Sequence, residues 1–204
     1  MKIIVFGATG KTGLELVSQA LDSGHDVTAF VRTPSKLTLQ HERLHTIQGD
    51  ALDIDAVEKA ISGHEAVASC LGSEGLKPSR VLEQMAGNIV KGMQKHGVSR
   101  IVYVASAGIH KEIPGFTGWM SQRILKNVLV DHRNAVNAMI AAKLDYTIAR
   151  PMQLKDGERK ETYRTAEIGV PHSGKEIHRS DVAHFLLEAL ENDQWIKQTV
   201  GLAY

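Results

Sequence analysis

The chain reads as one α/β domain built on a doubly wound, mostly parallel sheet, and three observations predict it. Apolar runs of strand length alternate with longer stretches of helical period. A glycine-rich turn joins the first of these runs to the first helix. The 204 residues suffice for one core, and no repeat, low-complexity tract or linker rich in Pro, Gly or Ser divides them.

Taken in order, Lys2 to Phe6 is a short apolar strand, and Leu14, Val17, Ala20 and Leu21 recur at helical spacing until Ser23-Gly24 ends the helix. Val27 to Val31 and Leu44 to Gln48 are the next strands. Asp53 to Ile61 reads as a short helix begun by an acidic cap, and Ala66 to Leu71 as a fourth strand. Val81, Leu82, Met85, Ile89, Val90 and Met93 mark one face of a long helix closed by His96-Gly97, before a fifth strand from Arg100 to Ala105. The second half is less regular. Gly108, Pro114, Gly115 and Gly118 predict a loop over 106–118, followed by a mixed helical stretch from Trp119 to Met139 and a strand from Tyr146 to Ala149. Residues 151–174 are polar, with one strand expected at Thr162 to Ala166; a helix from Asp181 to Leu190 and an apolar segment from Thr199 to Tyr204 follow.

Composition narrows the function. Lys and Arg number 24 against 23 Asp and Glu, and neither half of the chain carries a charge excess, which argues against nucleic-acid partners. No apolar run approaches membrane-spanning length, so no membrane partner is expected. Ile3-Ile4-Val5-Phe6 before Gly7 is too short for a signal-peptide core, and Cys70 is the one cysteine, leaving no intramolecular disulfide; the expected location is the cytoplasm.

Gly7-Ala8-Thr9-Gly10-Lys11-Thr12-Gly13 lies between the first strand and the first helix, where a glycine turn lets backbone approach a pyrophosphate and the helix N-terminus faces it. The spacing is G-x-x-G-x-x-G. Gly10-Lys11-Thr12 imitates the end of a nucleoside-triphosphate loop, but Val5 stands where that loop needs its first glycine. The second strand ends in Arg32, and Thr33, Ser35 and Lys36 follow with no carboxylate between Asp26 and Glu42. An acidic residue there would accept the ribose 2′-hydroxyl of NAD, whereas cations suit the 2′-phosphate of NADP(H), the cofactor expected.

Together with Gly49-Asp50, Cys70-Leu71-Gly72, Ala105-Ser106-Ala107, the run from Leu144 to Pro151 and Ser180-Asp181-Val182-Ala183, these residues resemble the atypical short-chain dehydrogenase/reductase family, in particular its flavin reductase/biliverdin reductase B type. The resemblance spans roughly residues 1–190. It implies a Rossmann-like sheet, a single NAD(P)-binding domain over 1–204, and an NADPH-dependent reductase that passes hydride to a flavin, quinone or similar conjugated acceptor. By that resemblance Gly7, Thr9, Gly10, Lys11 and Thr12 meet the pyrophosphate, Arg32, with Ser35 and Lys36, the 2′-phosphate, Asp50 and Ala51 the adenine, and Leu71 and Gly72 the ribose. Ser106 would stand beside the nicotinamide, with Pro151 near it, and the loops after residue 105 would form the substrate crevice as a monomer or weak dimer. The alternative is a redox sensor resembling the NmrA-like members, which binds the dinucleotide without turnover.

Two departures stand out. Tyr103, Tyr146 and Tyr163 are followed four places on by Ala107, Arg150 and Glu167, and Tyr204 ends the chain, so the proton-transferring Tyr-x-x-x-Lys of catalytic short-chain dehydrogenases is absent. Met152 replaces the histidine of the biliverdin reductase B pattern. The histidines show no metal-ligand spacing, and no metal is expected. His110, four residues after Ser106, is a weak proton-donor candidate; His132 reads as a half-exposed helix residue and Cys70 as a buried, inert thiol. Trp119, Met120, Met152 and Gln153 flank the expected crevice or fill core.

Overall fold

A computed structural model describes all residues except Glu74, together with the backbone but not the side chain of Thr117. Among the described residues, ten strands and six α-helices follow one another as β1 (Lys2–Phe6), α1 (Lys11–Asp22), β2 (Asp26–Val31), β3 (Leu44–Gln48), α2 (Ile54–Ile61), β4 (Ala66–Ser69), α3 (Val81–His96) and β5 (Arg100–Val104). Then come α4 (Gly115–Ile124), α5 (Lys126–Ala141), β6 (Asp145–Pro151), β7 (Gln153–Lys155), β8 (Arg164–Ala166), β9 (Glu176–His178), α6 (Arg179–Glu191) and β10 (Gln198–Ala203). Eight strands form one sheet in the order β3-β2-β1-β4-β5-β6-β10-β8, parallel except where β8 runs against β10, and β7 and β9 pair separately.

Strand periodicity sends successive side chains to opposite faces, and both faces are covered. Ile3 and Val5 join Leu16, Val17 and the α6 residues Phe185 and Leu186 on one side. Ile4 and Phe6 join Val57, Ile89 and Val136 from α2, α3 and α5 on the other. Each fully buried aliphatic side chain contributes roughly 1.5–3 kcal/mol. The order reverses beside β1: the chain steps outward to β2 and β3, then crosses back to β4 on its other flank. That reversal opens a crevice at the carboxyl ends of β1 and β4.

Local signals account for the helix ends. The Asp53 carboxylate accepts from the N–H groups of Asp55 (3.0 Å) and Ala56 (3.2 Å) and starts α2. Gly97 stops α3 at φ +68°. Arg80 offers α3 no cap of its own; the buried Asp131 of α5 accepts from the N–H groups of Leu82 (3.2 Å) and Glu83 (2.9 Å) instead.

The second half departs from expectation in three places. The 106–118 segment is not all loop, since α4 begins at Gly115, and Gly118 is a packing glycine, because a Cβ there would lie 1.8 Å from the Ile113 carbonyl oxygen. The stretch from Trp119 to Met139 is two helices broken at Leu125. β7 and β9, three residues each, were not visible as apolar alternation; Asp181 instead orders the preceding polar segment by accepting from the N–H groups of Lys160 (3.0 Å) and Glu161 (2.7 Å).

Candidate functional site

Three loops at the carboxyl ends of β1, β2 and β4 surround a cavity of about 440 Å³. Gly7 and Thr9 come from the first, Phe30, Val31 and Arg32 from the end of β2, and Leu71, Gly72, Ser73 and Lys77 from the loop after β4. Asp50, Ala51 and Leu52, just past β3, close another side, and Val81 and Met85 of α3 form part of the wall.

The glycine turn explains how backbone comes to line this space. Gly7 adopts φ +78°, and a Cβ on it would lie 2.7 Å from the Cys70 carbonyl carbon. A Cβ on Gly13 would lie 2.2 Å from the Gly7 carbonyl oxygen. These two glycines seat β1, α1 and β4 against one another. Gly10 differs: its φ is −75°, and the nearest atom to a Cβ there is the Gly7 oxygen at 3.3 Å. No side chain caps the N-terminus of α1 and no carboxylate sits in its first turn, so its leading N–H groups and positive dipole end suit an anion. Glycines that hold a strand-to-helix turn, an uncapped helix start and a cavity with Arg32 on its wall together fit a dinucleotide.

The expected residues divide. Gly7, Thr9, Arg32, Asp50, Ala51, Leu71 and Gly72 meet around the cavity. Asp50 accepts from the Leu52 N–H (2.9 Å), and the Ala51 carbonyl accepts from the Asn88 side chain (3.0 Å), so this rim is fixed by its own hydrogen bonds. Ser35 and Lys36 lie exposed on a 3₁₀ turn, Pro34–Lys36, and are not among the lining residues. Gly10, Lys11 and Thr12 also stand outside the lining, and the Lys11 ammonium meets the Asp156 carboxylate, which holds Arg179 at 2.5 Å as well.

Ser106 and Pro151 end neighbouring strands. The Ala107 N–H donates to the Pro151 carbonyl at 2.9 Å, so β5 and β6 stay zipped to the rim. The half-buried Ser106 hydroxyl donates to the Ala107 carbonyl (3.0 Å), and the exposed His110 ring has no hydrogen bond among the described residues. Desolvation lowers the His110 pKa, Glu112 partly offsets this, and the nearby Arg150 and Arg133 lower it further. Neither Ser106 nor His110 lines the cavity.

Three sequence expectations change. His132 is buried, its Nδ1 2.9 Å from the Tyr103 hydroxyl, and burial pushes its pKa down to about 4. Trp119 and Met120 neither fill core nor line the cavity; both are exposed on α4. The contribution of Ser73, Lys77 and Ser79 was missed, although the loop after β4, at the point where strand order reverses, is where a lining segment belongs. Cys70 is half-buried against the core rather than fully buried, and desolvation raises its thiol to about 12.

Comparison with known proteins agrees with this geometry. Residues 7–193 match a family model described as NAD(P)H-binding, and the chain belongs to that family. Among curated relatives, the photosystem II assembly factor Ycf39 of Synechocystis is 24% identical over 98% of the chain, which spans only 61% of that protein. Two solved structures share the fold. A short-chain dehydrogenase/reductase from Veillonella parvula, in complex with NADP, superimposes with a TM-score of 0.84 at 20% identity, covering all of this chain and 94% of its own. ChuY, an anaerobillin reductase from Escherichia coli O157:H7, gives 0.82 at 23% identity, covering all of this chain and 97% of its own.

Proposed function

We propose that this NAD(P)H-binding protein is an NADPH-dependent reductase that delivers hydride to a flavin or a similar conjugated acceptor. The observation that carries the reading is a cavity suited to a dinucleotide, with Arg32 on its wall and no tyrosine among its described lining residues, in a sequence that lacks Tyr-x-x-x-Lys. Tyr103, in β5, the strand leading to Ser106, is fully buried; burial holds its hydroxyl well above the usual phenol range, and that hydroxyl meets His132. A carbonyl acceptor needs a proton partner, whereas a flavin or quinone carries its own electron sink.

In this reading Arg32 and Lys77 offer positive charge to the 2′-phosphate end, and the start of α1 faces the pyrophosphate. The bound dinucleotide would supply hydride from its nicotinamide. Ser106, at the rim, would orient the carboxamide or donate a hydrogen bond to the acceptor. The reductase activity named for ChuY supports the class of reaction by analogy of fold.

Stopped-flow mixing of NADPH-loaded protein with FMN, riboflavin and a quinone tests the proposal. Oxidation of bound NADPH at rates well above those in free solution is the expected result. Tight NADPH binding with no turnover of any acceptor would replace this reading with that of a sensor.

A further inference from the structure

The helix α4 is built inside out. Its inward side carries Gly118, packed on Ile113, and Gln122, whose side-chain amide donates to the Gly108 carbonyl at 2.6 Å. Helical spacing places residues 116, 119, 120, 123 and 124 together on an arc of about 140°. That arc faces solvent: Phe116 is 70% exposed, Trp119 57%, Ile124 54% and Met120 40%. The Phe116 and Trp119 rings stack with centroids 5.7 Å apart, and the Arg123 guanidinium lies 5.6 Å from the Trp119 ring centre. Leu76, 52% exposed, lies on the neighbouring loop, whose carbonyl accepts from Asn127 at the start of α5.

Among the described residues from 106 to 144, the exposed charged side chains on and beside α4 are cations. Between residues 106 and 144 the carboxylates are Glu112 and Asp131, and both are withdrawn, the first paired with Arg150 and the second capping α3. Lys111, Arg123 and Lys126 are exposed. We infer that α4 is an interfacial helix that seats the protein on an anionic lipid surface, with Phe116, Trp119 and Ile124 entering the acyl boundary and the cations meeting the headgroups. Among the described residues no helix is long and apolar enough to cross a membrane, and contact with a surface requires none.

Charge complementarity selects this occupant over a second copy of the chain. A second copy would bring to this face the same exposed cations, Lys111, Arg123 and Lys126, and among the described residues of this surface no exposed carboxylate to meet them. An anionic bilayer supplies the opposite sign and, at its interface, a favourable site for an indole. The inference goes beyond the reductase reading and holds whether or not the protein turns over an acceptor.

Co-sedimentation with vesicles of phosphatidylcholine alone, and with vesicles in which about a third of the lipid is phosphatidylglycerol, tests it. Binding is expected only to the second kind, and it should fade as salt shortens the screening length to about 3 Å at 1 M. The double variant Arg123→Glu/Lys126→Glu should bind at least about tenfold more weakly, since each cation near such a surface contributes about 1 kcal/mol. Phe116→Ser/Ile124→Ser should also release the protein from vesicles while leaving its Tm within a few degrees of wild type. Tryptophan emission should shift to the blue on anionic vesicles, and the shift should vanish in Trp119→Phe, because Trp195 is packed against Phe185. Absence of binding to either vesicle would overturn the inference, as would binding that ignores lipid charge. A concentration-dependent dimer abolished by Phe116→Ser/Ile124→Ser would overturn it too, by showing that a second copy covers the face.

Discussion

The Arg150 guanidinium and the Glu112 carboxylate meet at 2.5 Å with side chains only 2% and 8% exposed, joining the carboxyl end of β6 to the loop after β5. Arg150 also donates to the carbonyls of Gly169 (3.0 Å) and Thr199 (3.1 Å), so one side chain ties together the loop, β6, β10 and the segment after β8. Burial alone would raise the Glu112 pKa, but its own N–H and Arg150 outweigh that and lower it. Removing one partner strands the other charge in a buried site. Glu112→Leu or Arg150→Met alone should therefore cost about 3–5 kcal/mol, while Arg150→Met/Glu112→Leu together should cost much less than the two single changes summed. Urea unfolding of the four proteins measures the difference; additive costs would show that the two charges are independent.

Buried His132 makes the stability depend on pH. Its pKa falls from 6.5 to about 4 in the folded chain, chiefly through burial, and Asp131 only partly offsets this. Below pH 6.5 the unfolded chain takes up a proton that the native core refuses, so stability is complete above that pH and drains away as pH falls towards 4. The loss amounts to about 3 kcal/mol. Urea midpoints measured across this range should fall steadily, and they should fall less steeply in His132→Gln, which has no proton to gain.

What could be read in advance follows from how each element announces itself. β1 to β5 and α1 to α3 carry apolar periods long enough to fix their type, and Asp53 and Gly97 punctuate them as caps. β7 and β9 are three residues each, and their register, Leu154 opposite Ile177, depends on a pairing across 22 intervening positions that no local pattern encodes. The site divides in the same way. Residues adjoining strand ends, such as Gly7, Arg32, Ala51 and Gly72, converge because the parallel sheet brings its carboxyl ends together. Ser35 and Lys36 were grouped with Arg32 by nearness in sequence, but the turn at Pro34 carries them away from the cavity, whereas Lys77 reaches it from a loop 45 residues further on.

This difference sharpens the expectation for cofactor choice. If Arg32 pairs with the 2′-phosphate, NADPH should bind more tightly than NADH, and Arg32→Asp should weaken NADPH roughly 10- to 100-fold and reverse the preference. Lys36→Ala, outside the lining, should change NADPH affinity by no more than about twofold. Isothermal calorimetry with both cofactors decides; equal dissociation constants in the wild type would remove Arg32 from the role.

The three glycines of the first turn should separate folding from binding. Gly13→Val forces a side chain into the Gly7 carbonyl and should prevent folding or lower the Tm sharply, whatever the cofactor does. At Gly10 a Cβ would press on the Gly7 carbonyl oxygen at 3.3 Å, a contact that a shift of a few tenths of an ångström relieves, so the fold should survive with a modest loss of Tm while the branched side chain blocks the approach of a pyrophosphate. A folded Gly10→Val protein, shown by circular dichroism, with wild-type NADPH affinity would make this turn purely structural.

Ser106 bears on the chemistry itself. Its hydroxyl donates to the Ala107 carbonyl, a bond that a ligand at the rim can replace without disturbing the sheet, because β5 and β6 are held there by backbone bonds. In the proposed reading its hydroxyl, which among the described residues donates to the Ala107 carbonyl and not to a base, would align or polarise, and Ser106→Ala should leave NADPH affinity nearly unchanged. Flavin reduction should slow by roughly 10- to 1,000-fold, the range for lost positioning or one lost donor. A small ketone should be a poor substrate for both proteins, since the buried Tyr103 hydroxyl is committed to His132 and cannot serve as its acid. Steady-state assays with FMN, a quinone and a small ketone read all three outcomes. Brisk ketone reduction by the wild type would refute the argument from the missing acid, and an unaltered rate in Ser106→Ala would move the acceptor away from this end of β5.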